Sequence, residues 1–202
     1  MFDQRAIEWL RPGLGRVAAL LARRGVSADQ VTWVGFGLGI GAAVSIAMQA
    51  HLTGLALLLA SRLCDGLDGA LARQTTPTDR GAFLDITLDF LFYASIPLAF
   101  AFADPAANAL AAAVLLAAFV GTGSTFLAFA VLAARRGLQS LAYPNKGIYY
   151  LGGLTEATET LACFALMCLW PAQFALFAFG FAALCGLTIV TRLWAGWRAL
   201  AS

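Results

Sequence analysis

Residues 64–73 read CDGLDGALAR and residues 81–89 read GAFLDITLD, so four aspartates lie on two apolar stretches joined by a short loop. They are Asp65, Asp68, Asp85 and Asp89. Each acidic side chain near the middle of a bilayer costs roughly 2.5–3.5 kcal/mol. Four without compensation would cost on the order of 10 kcal/mol, comparable with the stability of a typical fold. We therefore expect bound divalent cations, because these prefer carboxylate oxygens.

The spacing of the aspartates predicts one shared site. Two are three residues apart on the first stretch and two are four apart on the second, so each pair lies on one helix face. Two such faces in a helical bundle form an all-oxygen site for one or two cations. Gly66 and Gly69 would let a phosphate approach the first helix closely. Arg73, one turn further on, can bind it through its guanidinium, which favours phosphoryl-transfer chemistry on a nucleotide or diphosphate.

These residues resemble the signature of the CDP-alcohol phosphotransferases, D-x2-D-G-x2-A-R-x8-G-x3-D-x3-D. Seven residues instead of eight separate Arg73 from Gly81, which shortens the loop between the two helices. The length of the chain and the position of the motif are similar to those of a small bacterial inner-membrane branch of this family. The matching residues are Asp65, Asp68, Gly69, Ala72, Arg73, Gly81, Asp85 and Asp89.

The resemblance implies a reaction and a set of roles. An alcohol would attack the phosphate of a CDP-alcohol, with CDP-diacylglycerol as the expected donor, and CMP would leave. The four aspartates would bind metal, and Asp89 would also be the general base. Gly69, Ala72, Arg73 and Gly81 would line the nucleotide and diphosphate pocket together with Asp65 and Asp68. Mg²⁺ or Mn²⁺ suits oxygen ligands better than zinc, with two ions expected. The resemblance also implies a homodimer.

Composition indicates an all-α integral membrane protein. The 202 residues are 61% hydrophobic and only 12% charged, about half the charge of a soluble domain. We see no second domain in residues 1–202 and nothing that suggests a nucleic-acid partner. A span needs about 20 apolar residues, and six windows qualify: Val31–Ala50, Leu52–Leu71, Gly81–Ala103, Asn108–Ala134, Tyr149–Trp170 and Phe174–Trp197.

Lys and Arg predict the orientation of these spans. They occur before the first span, in the connections after the second and fourth, and at the C-terminal end. The other three connections contain neither. The positive-inside rule therefore places both termini and the aspartates on the cytoplasmic side of a bacterial inner membrane. Residues 1–26 combine arginines with apolar residues at helical spacing, which predicts an amphipathic juxtamembrane helix in the lipid interface.

Residues outside the signature raise further hypotheses. Ser27 and Gln30 are spaced as a capping box that starts the first span, and Thr32 matches a family element that borders the nucleotide. Lys146 is either a membrane-edge lysine or a contact to the acceptor. Glu156 and Glu159 belong either to a buried polar network, with Arg62 as a partner, or to an acceptor pocket. The lysine favours an anionic acceptor and the glutamates disfavour one, so the acceptor stays open.

Two other hypotheses compete with the enzyme. A cation-coupled or proton-coupled transporter would also place carboxylates inside a membrane. A family member that binds CDP-lipid without turnover would retain the fold. The transporter is disfavoured because the aspartates cluster at one membrane face, and the inactive binder because all four are present.

Overall fold

The fold is a bundle of α-helices, seen in a computed structural model that describes residues 2–137 and 154–201. These residues contain no β-strand. A short 3-10 turn, Pro171–Gln173, precedes the last helix. The helices are α1 (Phe2–Arg23), α2 (Ala28–Ala47), α3 (His51–Gln74), α4 (Asp79–Ala103), α5 (Pro105–Arg135), α6 (Ala157–Leu169) and α7 (Phe174–Leu200).

Four stretches of the described residues are long and apolar enough to cross a membrane: Ala28–Ala47, Asp79–Ala103, Pro105–Arg135 and Pro171–Leu200. The predicted second span coincides with α3, which has 24 residues but carries the charges of the motif. The predicted fifth span begins outside the described residues, and its described helix, α6, has 13 residues. Such a helix is about 20 Å long, shorter than the roughly 30 Å hydrocarbon core. Six spans therefore remain a prediction.

Helix α2 begins as the sequence predicts. The backbone N–H of Gln30 donates to Ser27 Oγ (3.2 Å), and the backbone N–H of Ser27 donates to Gln30 Oε1 (3.0 Å). This reciprocal pair is a capping box, which satisfies two N–H groups that the first helical turn leaves without partners. Thr78 caps α4 similarly, since its Oγ1 accepts from the N–H of Gly81 at 3.0 Å. The two caps fix the first turns of α2 and α4, the helices that carry Thr32 and Asp85.

The N-terminal helix α1 packs against the motif helix α3. Ala18 is fully buried between them, in a small cluster with Val31, Ala70 and Leu71. The side-chain amide of Gln74 also donates to the carbonyl oxygen of Gly15 (2.9 Å). These contacts attach α1 to the helix that carries Asp65 and Asp68. The location of α1 in the lipid interface stays a prediction.

The main core is built from residues of all helices from α2 to α7. Phe92 and Phe100 of α4 are fully buried in it, and Phe100 stacks on Phe174 of α7 with ring centroids 4.6 Å apart. Close approach of α2 depends on its glycines. A Cβ at Gly39 would lie 2.6 Å from Phe92 Cδ2, so only a glycine fits there without displacing the ring.

A matched pair of glycines in α2 gives a stability prediction. A Cβ at Gly35 would lie 2.9 Å from the Cβ of Cys64 and 3.4 Å from the Ser61 carbonyl oxygen, atoms that cannot rotate away. We expect Gly35→Ala to lower the free energy of unfolding by about 1–3 kcal/mol through overpacking. Gly37→Ala is the control because a Cβ there meets nothing within 4 Å. Thermal unfolding in detergent checks both, and equal melting temperatures would contradict the expectation.

Candidate active site

Three aspartates from two helices meet at one end of the bundle. Asp65 and Asp68 lie in the C-terminal half of α3, and Asp85 lies in the N-terminal half of α4. Each offers a carboxylate oxygen, and these oxygens lie within 4.8 Å of one another. Asp68 is buried, Asp65 is partly buried and Asp85 is exposed, so the group opens to the surface on the α4 side. Two aspartates of α3 thus meet one aspartate of α4.

The geometry of this group fits a hard divalent cation. Oxygens that bind one ion at about 2.0–2.6 Å lie no more than about 4–5 Å apart, which agrees with the observed 4.8 Å limit. The donors are all carboxylate oxygens, the type that Mg²⁺ and Mn²⁺ prefer. Their assignment as metal ligands stays a prediction.

Asp89 lies in the same cavity but outside this group of three. Its Oδ1 accepts a hydrogen bond from Arg62 Nη1 at 2.6 Å. The same Nη1 is 3.6 Å from Asp65 Oδ1. The guanidinium therefore lies between the two helices at the cluster. The cavity is lined by Thr32, Gly35, Phe36, Ser61, Arg62, Asp65, Asp68, Asp85, Leu88 and Asp89.

Arg62 corrects the sequence analysis. One of the two hypotheses for Glu156 and Glu159 paired Arg62 with them, but its ion-pair partners among the described residues are Asp89 and Asp65. The sequence contained part of the signal, because Arg62 lies three residues before Asp65 and hence on the same helix face. The stronger partner, Asp89, comes from α4, 27 residues further along the chain, and could be identified only from the fold.

Thr32 connects α2 to the cluster. Its hydroxyl donates to Asp68 Oδ2 at 2.6 Å, so the start of α2 contacts the buried aspartate directly. Asp29, one turn earlier, binds the exposed Arg80 instead, which donates to its Oδ2 from Nε at 3.0 Å. A Cβ at Gly81 would lie 3.2 Å from both Asp29 Oδ1 and Thr78 Oγ1. Gly81 therefore allows α4 to start close to α2.

The remaining signature residues lie on the outer turns of α3. Arg73 is exposed and Ala72 is partly buried. A Cβ at Gly69 would lie 3.4 Å from Arg73 Nη1, so the arginine folds back over Gly69. A Cβ at Gly66, by contrast, would lie 3.1 Å from Leu14 Cδ1 of α1. The glycine expected to admit a phosphate at position 66 instead accommodates the N-terminal helix.

The predicted acceptor-pocket residues do not line this cavity among the described residues. Lys146 lies outside the part of the chain that the structure describes. Glu159 Oε2 accepts from the backbone N–H of Glu156 at 3.1 Å, so Glu159 stabilises the first turn of α6. This bond gives Glu159 a helix-capping role.

A second cavity, of about 440 Å³, lies between α5 and α7. Arg192 of α7 is buried beside it and donates from Nη1 to the carbonyl oxygen of Thr122 at 3.2 Å. The sequence analysis missed this residue, although an arginine inside an apolar helix is itself a signal of function. The lining is mostly apolar: Thr125, Ala128, Phe129, Leu132, Arg192, Leu193, Gly196, Trp197, Leu200 and Ala201.

A sequence model of the CDP-alcohol phosphatidyltransferase family matches residues 26–196 of the chain. The chain belongs to this family. It is accordingly a CDP-alcohol phosphatidyltransferase, a membrane transferase of phospholipid biosynthesis. The resemblance carried by Asp65 to Asp89 is confirmed, and the transporter hypothesis is abandoned.

Two kinds of relatives are similar to the chain in sequence. The Escherichia coli inner membrane protein YnjF is 50% identical over 202 residues, which covers all of this chain and 98% of YnjF. The archaetidylinositol phosphate synthase of Methanothermobacter thermautotrophicus is 40% identical over 91 residues, 44% of this chain and 47% of the synthase. That of Pyrococcus horikoshii is 37% identical over 84 residues, 41% and 45% of the respective chains.

Two crystal structures of Mycobacterium tuberculosis phosphatidylinositol phosphate synthase, PgsA1, share the fold. The structure with CDP-DAG bound superposes with a TM-score of 0.71 and 22% identity, covering 91% of this chain and 93% of PgsA1. The structure in complex with manganese and citrate gives a TM-score of 0.71 and 23% identity, over 91% and 88% of the chains.

Proposed function

We propose that the chain transfers a phosphatidyl group from CDP-diacylglycerol to the hydroxyl of a small alcohol and releases CMP. The alcohol oxygen forms a bond to the phosphorus that carries diacylglycerol. The bond from that phosphorus to the bridging oxygen breaks, and CMP leaves with that oxygen. The observation that carries the proposal is the group of three carboxylates, whose oxygens lie within 4.8 Å of one another, inside a family defined by this chemistry.

Asp65, Asp68 and Asp85 are the proposed metal ligands, and Asp89 of the same cavity is the proposed fourth. Mg²⁺ or Mn²⁺ bound there would neutralise the diphosphate and the departing CMP. Thr32 holds Asp68 in place through its 2.6 Å hydrogen bond. The manganese complex of PgsA1 supports the same class of ion. The proposed number of ions is two, as the family resemblance implies.

The remaining residues bind the donor and move the proton. Asp89 is the proposed base that takes the proton of the attacking hydroxyl, because it is the carboxylate of the cavity that lies outside the group of three. Arg73 is exposed beside Gly69, where its guanidinium can bind the diphosphate. Ala72 and Gly81 complete the nucleotide-facing surface.

We propose a phosphorylated alcohol as acceptor, with inositol phosphate as the first compound to test. The names of the archaeal synthases and of PgsA1 include this headgroup. The sequence left the charge of the acceptor open, because Lys146 favoured an anion and the glutamates opposed one. The capping bond of Glu159 weakens that objection.

The proposed setting is a bacterial inner membrane with both termini and the aspartates facing the cytoplasm, since Lys and Arg concentrate at that end of the spans. A cytoplasmic site would meet CDP-linked substrates where nucleotides are found. We also propose a homodimer, which the family resemblance implies.

CMP release by the purified protein tests the proposed function. The reaction contains CDP-diacylglycerol, Mg²⁺ or Mn²⁺, and one candidate alcohol at a time, and Asp65→Asn serves as the inactive control. We expect release that depends on inositol phosphate or another phosphorylated alcohol and falls to background with a chelator or in the variant. Absence of release with every alcohol would contradict the proposal and would favour the family member that binds CDP-lipid without turnover.

A further inference from the structure

Arg62 is a buried cation beside the aspartate cluster, and the family signature, which begins at Asp65, does not include it. Its side chain is only 11% exposed. Nη1 lies 2.6 Å from Asp89 Oδ1 of α4 and 3.6 Å from Asp65 Oδ1 of α3. Among the described residues that line the cavity, Arg62 is the one that carries a positive charge. One guanidinium therefore links carboxylates of the two helices that carry the aspartates.

Aromatic rings and a hydroxyl group hold the guanidinium of Arg62 against the cluster. Its central carbon lies 3.9 Å from the centroid of the Phe92 ring and 5.6 Å from that of Tyr93, distances at which a ring attracts a cation. Nη2 lies 3.3 Å from Ser61 Oγ, and that hydroxyl donates to the carbonyl oxygen of Gly35 at 2.7 Å. These contacts involve α2, α3 and α4, so the bundle itself fixes the position of the charge.

The metal-free cluster needs such a charge. The carboxylate oxygens of Asp65, Asp68 and Asp85 lie within 4.8 Å of one another, and like charges at this distance repel strongly where the dielectric constant is low. Whenever the ions are absent, the chain itself must offset this repulsion. Arg62 offsets one of the four carboxylate charges and contacts both helices.

We propose that Arg62 is a positioning residue of the metal site, which keeps the aspartates of α3 and α4 together while the ions are absent. The ligand set is then already assembled when the ions bind. The hydrogen bond engages Oδ1 of Asp89, which leaves Oδ2 for an ion, so this role is compatible with all four aspartates as ligands. The inference rests on the proposed function, because it concerns the metal site of that reaction.

Substitutions at positions 62 and 89 separate the charge of Arg62 from its shape. Arg62→Gln removes the charge, and Arg62→Lys keeps the charge without the planar guanidinium. The double variant Arg62→Gln/Asp89→Asn removes one charge of each sign, so it restores the net charge of the wild-type cluster. Arg135→Gln is the control, because Arg135 is exposed on the last turn of α5 and does not line the cavity. The melting temperature of each purified protein in detergent is measured with a chelator and with saturating Mn²⁺.

With the chelator, we expect Arg62→Gln to melt about 5–15 °C below the wild type, because one partner of a buried ion pair is gone. Saturating Mn²⁺ should recover at least about half of this difference, since the ions replace the missing positive charge. Arg62→Lys should lose less than about half as much as Arg62→Gln. With the chelator, the double variant should melt at least about 3 °C above Arg62→Gln, although it carries one more substitution. Arg135→Gln should match the wild type in both conditions.

An arginine needed only for packing would give a different pattern. Equal losses for Arg62→Gln with the chelator and with Mn²⁺ would overturn the inference, and so would a wild-type melting temperature with the chelator. A double variant that melts below Arg62→Gln would also contradict it. If Arg62→Gln folds only with Mn²⁺, the inference is supported. If it folds in neither condition, Arg62→Lys decides: a folded lysine variant supports the role of the charge, and an unfolded one overturns it.

Failure of the proposed function has its own signature in these experiments. A wild-type protein that gains no stability from Mn²⁺ and releases no CMP with any alcohol would overturn the proposed metal chemistry. The comparison of Arg62→Gln with the double variant is made with the chelator and depends on no ion. It therefore tests the role of Arg62 in the metal-free cluster whichever way the assay of CMP release turns out.

Discussion

Asp89→Asn is expected to lower kcat for CMP release about 10²–10⁴-fold, the usual contribution of a general base. Asparagine has the shape of aspartate, and its amide oxygen can still accept the hydrogen bond from Arg62 Nη1 that Asp89 Oδ1 accepts at 2.6 Å. It cannot take up the proton of the attacking hydroxyl, so the chemical step loses its acceptor. Since Asp89 lies outside the group of three oxygens, KM for CDP-diacylglycerol should change less than about 3-fold.

The control for this prediction is Asp104→Asn at the other end of α4. Asp104 caps α5 by accepting from the N–H of Ala107 at 3.1 Å, and asparagine caps helices equally well. The variant thus removes one carboxylate far from the cluster and should retain wild-type activity. A folded Asp89→Asn protein with kcat within about tenfold of wild type would remove Asp89 from the base role.

Features that depend on neighbouring residues of the chain could be predicted from the sequence. Ser27 and Gln30 form their capping box because both partners lie within one helical turn. Asp65 and Asp68 share a face for the same reason. The approach of Asp85 to this pair was expected from the cost of carboxylates in a bilayer, which a shared cation lowers. Strong local periodicity and a large energetic penalty made this part of the site predictable.

Features that depend on packing between distant segments could not be predicted. Arg62 contacts Asp89, 27 residues away, and the hypothesis that pairs it with Glu156 or Glu159 was wrong because spacing carries no information about which helices are neighbours. Gly66 carried a signal for close approach, but only the structure shows that Leu14 of α1 fills the space. Arg192 was missed because the hydropathy of α7 hides a single charge. For Arg62 and Gly66 the missing information was which helix packs against the face that carries them.

Asp85→Asn is expected to weaken Mn²⁺ binding at least about tenfold and to lower CMP release about 10²-fold or more, since it removes one charged ligand of the proposed ion. Asp79→Asn is the matched control, because it removes the same charge from the first turn of the same helix, α4. Asp79 is not among the three residues whose oxygens converge. Only the loss of a ligand therefore distinguishes the two variants.

Mn²⁺ titration followed by electron paramagnetic resonance measures the affinity, and CMP release at saturating Mn²⁺ measures the activity. If the two variants bound Mn²⁺ equally well, the metal would be held without Asp85, and the proposed ligand set would be wrong.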